Sequence, residues 1–338
     1  ELTGYAAQTA GLQVDSVFFG GGTPSLMAPE TVGAVLETVA AHWRLRPEAE
    51  ITLEANPTSV ESARFAGFAA AGVNRVSVGV QALRDEDLRR LGRLHSVTEA
   101  RQAIDIAKKY ISRVSADLIY ARQDQHLADW RAELAEALDW GLDHLSLYQL
   151  TIEPETRFGE LHARGRLTGL PDGDLAADLY EATQEMTEAA GMPAYEVSNH
   201  ARTGAEGRHN LIYWRGGAYL GVGPGAHGRG TSQDGWIATE TLRQPEAWLA
   251  RVEAGVDAAT RLPVEPGERA SEYMMMALRL REGMELKRYA ALAGDEPDPA
   301  AVARLAEGGF VESVSGRLRL TPAGRPVLNA VLRELLPV

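Results

Sequence analysis

Apolar and polar positions along the first 150 residues fall into two alternating regimes. Short β-rich apolar runs stand at Val14–Phe19, Glu50–Glu54, Asn74–Val80, Arg113–Tyr120 and His144–Leu150. Their length and branched residues predict buried strands. Between them lie stretches with helical spacing of the apolar residues, at Pro29–Trp43, Val60–Ala71, Asp85–Leu91, Val97–Lys109 and Leu127–Trp140. Pro29 suits a first helical turn, and Gly72 and Gly141 stand where helices end. Repeated strand–helix units of this kind predict a parallel sheet with helices outside it. The strands are too few for a closed eight-unit barrel, so the sheet is doubly wound or an incomplete barrel.

In both architectures ligands bind beyond the C-terminal ends of the strands. The first strand ends in Gly20-Gly21-Gly22-Thr23 and the second in Glu54-Ala55-Asn56-Pro57. The third ends near Gln81, the fourth carries Asp117, and the fifth ends in Tyr148-Gln149-Leu150-Thr151. Polar groups thus gather at one rim of an apolar sheet. Loops begin at strand ends, so any one of these residues is ordinary. Glu54 and Asp117 stand out because each follows or interrupts a strongly apolar run. The glycine stretch matches neither G-x-G-x-x-G nor G-x-x-x-x-G-K-[ST]. It reads as a strand end whose amides are open to a ligand with polar atoms.

The second half changes character twice. "LPDGDLAADLYEATQEMTEAAGM" predicts an amphipathic helix ending at Gly191, and "YEVSNHA" alternates like a strand. From about Pro263 the pattern gives a helix, a break at Gly283 and a second helix. A third helix, two short strands joined at Ser315-Gly316 and a final helix follow. This order predicts a small winged-helix-like α+β domain at 263–338 after a first domain at 1–262. The Met274–Met276 stripe reads as core.

Composition narrows the classes. Of the 338 residues, 45% are hydrophobic and 24% charged, ordinary values for a globular chain. No apolar run reaches the ~18 residues of a membrane span. Glu1–Gln13 lacks the basic flank and apolar stretch of a signal peptide. The chain has no cysteine, which excludes disulfides and thiolate metal ligands within it. A cytoplasmic location follows as the expectation. A winged helix raises DNA binding as a rival function. The net charge of −13 opposes it, and Arg317, Arg319 and Arg325 are too few to reverse that balance.

The segments "FFGGGTPSLM", "EANP", "RVSVGVQAL", "LGRLHS" and "DLIYA", in this order and spacing, resemble the radical S-adenosylmethionine family. The resemblance covers nearly the whole chain and falls in the branch related to the oxygen-independent coproporphyrinogen III oxidase. "RHNLIYW" followed by "YLGVGPGAHG" looks like that branch's haem chaperones rather than its porphyrinogen enzyme. The resemblance implies an α/β fold, a partial (β/α)6 barrel that here lacks its first strand. It implies S-adenosylmethionine contacts at Gly21, Gly22, Thr23, Glu54, Gln81, Arg93 and Asp117, with Thr151 and Gly225 as weaker matches. Arg93 would meet the ligand's carboxylate, and the acidic side chains its ammonium and ribose hydroxyls. Read without the family, Arg93 is a surface ion pair.

Three further expectations come from the same match. Members hold a 4Fe–4S cluster in a Cys-x3-Cys-x2-Cys loop, which this chain lacks and which is expected before Glu1. Val14–Phe19 is then an exposed edge. Where members show Pro-Gly after the fourth strand, this chain has "ARQDQH", so that turn should differ. For haem, His209, Tyr213 and Trp214 are the matching contacts, with His200 and His227 as reserve iron ligands. The same residues also suit a loop tied by His209 and Asn210 over packed aromatic rings. The expected function is a haem carrier serving acceptor haemoproteins, without nucleic acid or stable membrane insertion. A radical enzyme that decarboxylates a porphyrinogen and a DNA-binding or scaffold protein are the alternatives.

Overall fold

The computed structural model describes residues 1–233 and 235–336; residues 337 and 338, the end of the expected C-terminal domain, lie outside the described residues. The chain forms two compact units, one of Ser16–Leu36 and Glu50–Gly207, the other of Glu1–Asp15, Glu37–Ala49 and Arg208–Val338. Among the described residues no helix is long and apolar enough to cross a membrane.

The main sheet contains β1 (Gln13–Phe19), β2 (Arg44–Ala55), β3 (Arg75–Gln81), β4 (Arg113–Tyr120), β5 (His144–Gln149), β6 (Ala194–Glu196) and β7 (Asn199–Ala201). Their order is β1-β2-β3-β4-β5-β7-β6, an α/β half barrel with β1 at its edge. β2 to β5 pair in parallel, while β7 runs antiparallel to both β5 and β6. Leu53, Val76, Val78, Ala116, Leu118, Leu145 and Leu147 are buried with Phe65, Phe68, Ile104, Trp130 and Leu134 of the intervening helices. Local sequence sets the helix ends. A capping box of Ser96 and Glu99 opens Val97–Tyr110, and Gly72 at φ +110° closes Phe65–Ala71.

Two details depart from the sequence pattern, and the turn after β4 has the distinct form expected of it. The stretch expected as one helix from Val60 to Ala71 is two, Ser59–Ser62 and Phe65–Ala71. Glu61 at the end of the first and Arg64 at the start of the second turn their side chains to the glycine-rich loop. "YEVSNHA" is a hairpin rather than one strand. The Glu196 carboxylate accepts from the Ser198 N–H at 3.0 Å and from Asn199 Nδ2 at 2.8 Å, and curls the chain between β6 and β7. After β4, Ala121 (φ +57°) and Asp124 (φ +55°) are left-handed, a conformation that aspartate tolerates. The Asp124 N–H donates to Gly169 O at 2.7 Å, and Gln123 Nε2 donates to Thr168 O at 2.6 Å.

The other unit carries two small antiparallel sheets. β8 (His227–Ser232), β9 (Gly235–Thr241) and β10 (Ala259–Pro263) run in the order β10-β9-β8. β11 (Met284–Glu285), β12 (Val311–Val314) and β13 (Arg317–Leu320) run in the order β11-β13-β12, with four helices of residues 266–335 around them. Ser315 and Gly316, at φ +50° and +77°, form the tight turn between β12 and β13. Met274 is fully buried, whereas Met275 is 38% exposed, so the Met274–Met276 stripe is core only in part.

Candidate functional site

At the rim of the half barrel the chain leaves β1 through Gly20, then Gly21 and Gly22 at φ +78° and +61°. A Cβ at Gly21 or Gly22 would meet no atom within 4 Å, so the backbone there is open. The loop is fixed from below. The buried Glu61 carboxylate accepts from the Ser25 hydroxyl, from the Asn56 N–H at 2.9 Å and from the Thr58 hydroxyl at 3.1 Å. Arg64 Nη1 donates to Leu26 O at 2.6 Å. Sequence reasoning missed both anchors, although Thr58-x-x-Glu61 has the spacing of a capping box.

The strands bring polar side chains together behind this loop. Alternate residues point to opposite faces of a sheet, and the row Glu54–Ser77–Ser115 continues through Asp117 to Ser146 on one of them. Ser77 Oγ donates to Asp117 Oδ1 at 3.0 Å and lies 2.9 Å from Ser115 Oγ, which accepts from Arg75 Nη2 at 3.1 Å. Glu54 Oε2 accepts from the Gly21 N–H at 3.4 Å. Burial pushes the Glu54 carboxyl above the usual range and the Asp117 charge adds to it, against the Gly21 N–H and Arg75. Burial also raises Asp117, against hydrogen bonds from Ser146 and Ser77 and the Arg75 charge. Arg75 is the buried cation facing both carboxyls, a role invisible when the strand was read only as an apolar run.

Gln81 ends β3 with φ +72°, beside a register shift between β3 and β4. Such backbone in a non-glycine residue is held only where the surroundings impose it. Its amide lies over Gly79, where a Cβ would meet Nε2 at 2.8 Å. Arg93 follows the helix Asp85–Arg90, and its buried Nε has no hydrogen-bond partner among the described residues. Thr151 is exposed just after β5. Gly21, Gly22, Thr23, Glu54, Gln81, Arg93, Asp117 and Thr151 all belong to the half-barrel unit, whereas Gly225 belongs to the other. Gly225 has φ +72° and donates its N–H to Leu242 O at 2.9 Å.

"RHNLIYW" forms the helix Arg208–Trp214, in which Arg208 is exposed and His209 to Trp214 are half-buried. The His209 ring meets Tyr213 edge-on at 4.7 Å, and Tyr213 meets Tyr219 at 4.2 Å. Burial and the neighbouring Tyr219 push the Tyr213 phenol up to about 12. The Arg279 guanidinium lies 4.6 Å from the Trp214 ring centroid, and Trp214 Nε1 is buried without a hydrogen-bond partner among the described residues. The reserve histidines stand differently. His200 is 1% exposed in β7 with Nε2 3.2 Å from Gln184 Nε2, and His227 is an exposed neighbour of Glu240 at 4.0 Å.

The radical SAM superfamily model matches residues 4–152, and the HemN C-terminal domain model matches residues 264–327. Over 339 residues the chain is 40% identical to the mitochondrial radical S-adenosyl methionine domain-containing protein 1 of Bos taurus, covering 96% of this chain and 76% of that protein. Over 341 residues it is 37% identical to the heme chaperone HemW of Escherichia coli K12, covering 99% and 88%. The solved structure of Escherichia coli coproporphyrinogen III oxidase, HemN, matches with a TM-score of 0.80 at 18% identity, covering 98% of this chain and 80% of that one. At that identity the likeness is one of fold.

Proposed function

Because this chain belongs to the radical S-adenosylmethionine superfamily, in the group that includes HemW, we propose that it binds haem and delivers it to acceptor haemoproteins. The carrying observation is the helix Arg208–Trp214. It sets the His209 imidazole edge-on to the Tyr213 ring, with Trp214 one residue further along, and fully buries none of these side chains. A porphyrin site needs an iron ligand and apolar ring faces, and this helix offers both. His209 is the proposed ligand, with Tyr213 and Trp214 packing on the macrocycle. His200 is enclosed in the sheet, which makes it a poor substitute.

S-adenosylmethionine is proposed to lie on the half-barrel rim. The open Gly21–Gly22 backbone, the two carboxyls and the unpartnered Arg93 Nε fit a ligand with an ammonium, a carboxylate and ribose hydroxyls. Thr23 and Gln81 complete that set, with Thr151 as its weaker member. The cofactor would bring a reducible sulfonium to the rim; the chain's own residues bind and orient it. The residues present do not fit a 4Fe–4S cluster, whose irons take thiolates. The chain has no cysteine, and among the described residues no group of three or more acidic or histidine side chains could hold a metal ion. A cytoplasmic location belongs to the same proposal, although the cattle relative is described as mitochondrial.

A haem titration tests the reading. His209→Ala should shift the Soret band and weaken haem binding about tenfold or more, a loss of about 1.4 kcal/mol. Trp214→Leu should weaken binding with little spectral change. An unaltered spectrum and affinity in the His209 variant removes its ligand role. Efficient decarboxylation of coproporphyrinogen would move the protein to the enzyme class.

A further inference from the structure

In the unit that carries the Arg208–Trp214 helix, most arginines close to that helix and its neighbouring sheets are matched with carboxylates. Arg229 pairs with Glu272 at 2.8 Å, Arg215 with Glu282 at 2.9 Å and Arg319 with Glu312 at 2.9 Å. Arg269 and Arg288 are different. Among the described residues neither has an ion pair, and each is half-buried on an aromatic face. The Arg269 guanidinium lies 3.9 Å from the Trp236 ring centroid, and that of Arg288 lies 4.7 Å from Tyr273. The two cations are near enough that, after burial, the Arg288 charge is what lowers the Arg269 pKa.

Two partly desolvated like charges repel, and no described carboxylate relieves them. A guanidinium has five N–H donors; Arg288 uses Nη2 on Gly216 O at 2.8 Å, and Arg269 has no described acceptor. The remaining donors suit carboxylate oxygens, which guanidinium forks hold in charge-assisted pairs. The place matters as much as the charge. Gly216 is the second residue after Trp214, so the chain leaving the His209 helix is tied directly to Arg288. Its backbone must lie close there, because a Cβ at Gly216 would meet the Tyr273 ring at 2.9 Å. Arg269 and Tyr273 share the helix Pro266–Ala277, which packs against the Arg208–Trp214 helix.

We propose that Arg269 and Arg288 form the carboxylate-binding end of the haem site, receiving the porphyrin propionates while His209 faces the iron. The proposal rests on the haem-carrier reading and adds to it which chemical groups of the cargo are recognised. It makes binding sensitive to the charge at the edge of the ring as well as to the metal at its centre.

The test compares haemin with haemin dimethyl ester, which keeps the iron and the ring but has no carboxylates. The unaltered protein should bind haemin about tenfold or more tightly than the ester. Arg269→Met, which keeps an unbranched stem over Trp236, should lose that preference while the Soret position stays at the wild-type value. Arg269→Lys should restore part of it. His209→Ala should do the reverse, moving the Soret band and keeping the preference. Equal affinity of the unaltered protein for haemin and ester overturns the proposal and leaves the haem reading standing, and this comparison needs no variant to fold. A preference that survives in a folded Arg269→Met also overturns it. Failure of the unaltered protein to bind either compound overturns both.

Discussion

Asp117 and Glu54 show how burial tunes single residues at the rim. Their carboxyls sit above the usual range, so between that range and their raised values the folded chain holds more protons than the unfolded one. Stability therefore falls as pH rises through that window, and the penalty persists above it. Asp117→Asn removes the charge but keeps an acceptor for Ser77. Its melting temperature should exceed wild type at pH 8, and the gap should close toward pH 4. A variant no more stable than wild type at pH 8 would contradict burial as the governing cause. Glu54→Gln keeps an acceptor for the Gly21 N–H and loses the charge. By calorimetric titration, S-adenosylmethionine affinity should fall about tenfold, the scale of one charge-assisted hydrogen bond. Undiminished affinity would exclude Glu54 from the site.

His144 has the opposite sign. Burial, then the charges of Arg75, Arg113 and His200, hold its imidazole well below the ordinary value. Below about pH 6.5 the unfolded chain takes up a proton that the folded chain refuses, so this residue costs stability as pH falls. His144→Gln should narrow the difference between urea midpoints at pH 5 and pH 7.5. An unchanged difference would mean that the imidazole protonates freely in the fold.

At the scale of elements, helix and sheet are joined by a few large side chains. Trp130 is fully buried, stacks on Tyr120 at 5.1 Å and donates from Nε1 to Thr183 Oγ1 at 2.8 Å. Trp130→Ala should cost about 3–5 kcal/mol in denaturant titration, the usual range for emptying a core of this size. A cost below 1 kcal/mol would mean that the three elements are not coupled there.

The apolar outer face is what made β3, β4 and β5 legible in sequence to within a residue or two. The same emphasis hid the inner face, because Arg75, Ser77, Ser115, His144 and Ser146 alternate with the valines and leucines and look like interruptions. β8 to β10 had no such signal. Their strands are glycine-rich or charged and alternate poorly between buried and exposed positions. The rim residues of the candidate site were legible because they sit at strand ends or in quoted motifs. Glu61 and Arg64 were not, because the groups of the glycine-rich loop that they hold, the Ser25 hydroxyl and the Leu26 carbonyl, are 36 and 38 residues away in sequence.

For the whole molecule, fold and charge leave the carrier reading with one decisive consequence. The half barrel is shared with an oxidase at 18% identity, so architecture does not separate carrier from enzyme. A net charge of −13 also gives the chain little attraction for nucleic acid. What separates a carrier from a protein that merely binds haem is release to a partner. The direct measurement is to load the protein with haem, mix it with a haem-free haemoprotein from the same cells, and follow haem in each after separation. Haem should appear in the acceptor faster than from serum albumin loaded to the same level. Transfer no faster than from albumin would contradict the carrier reading.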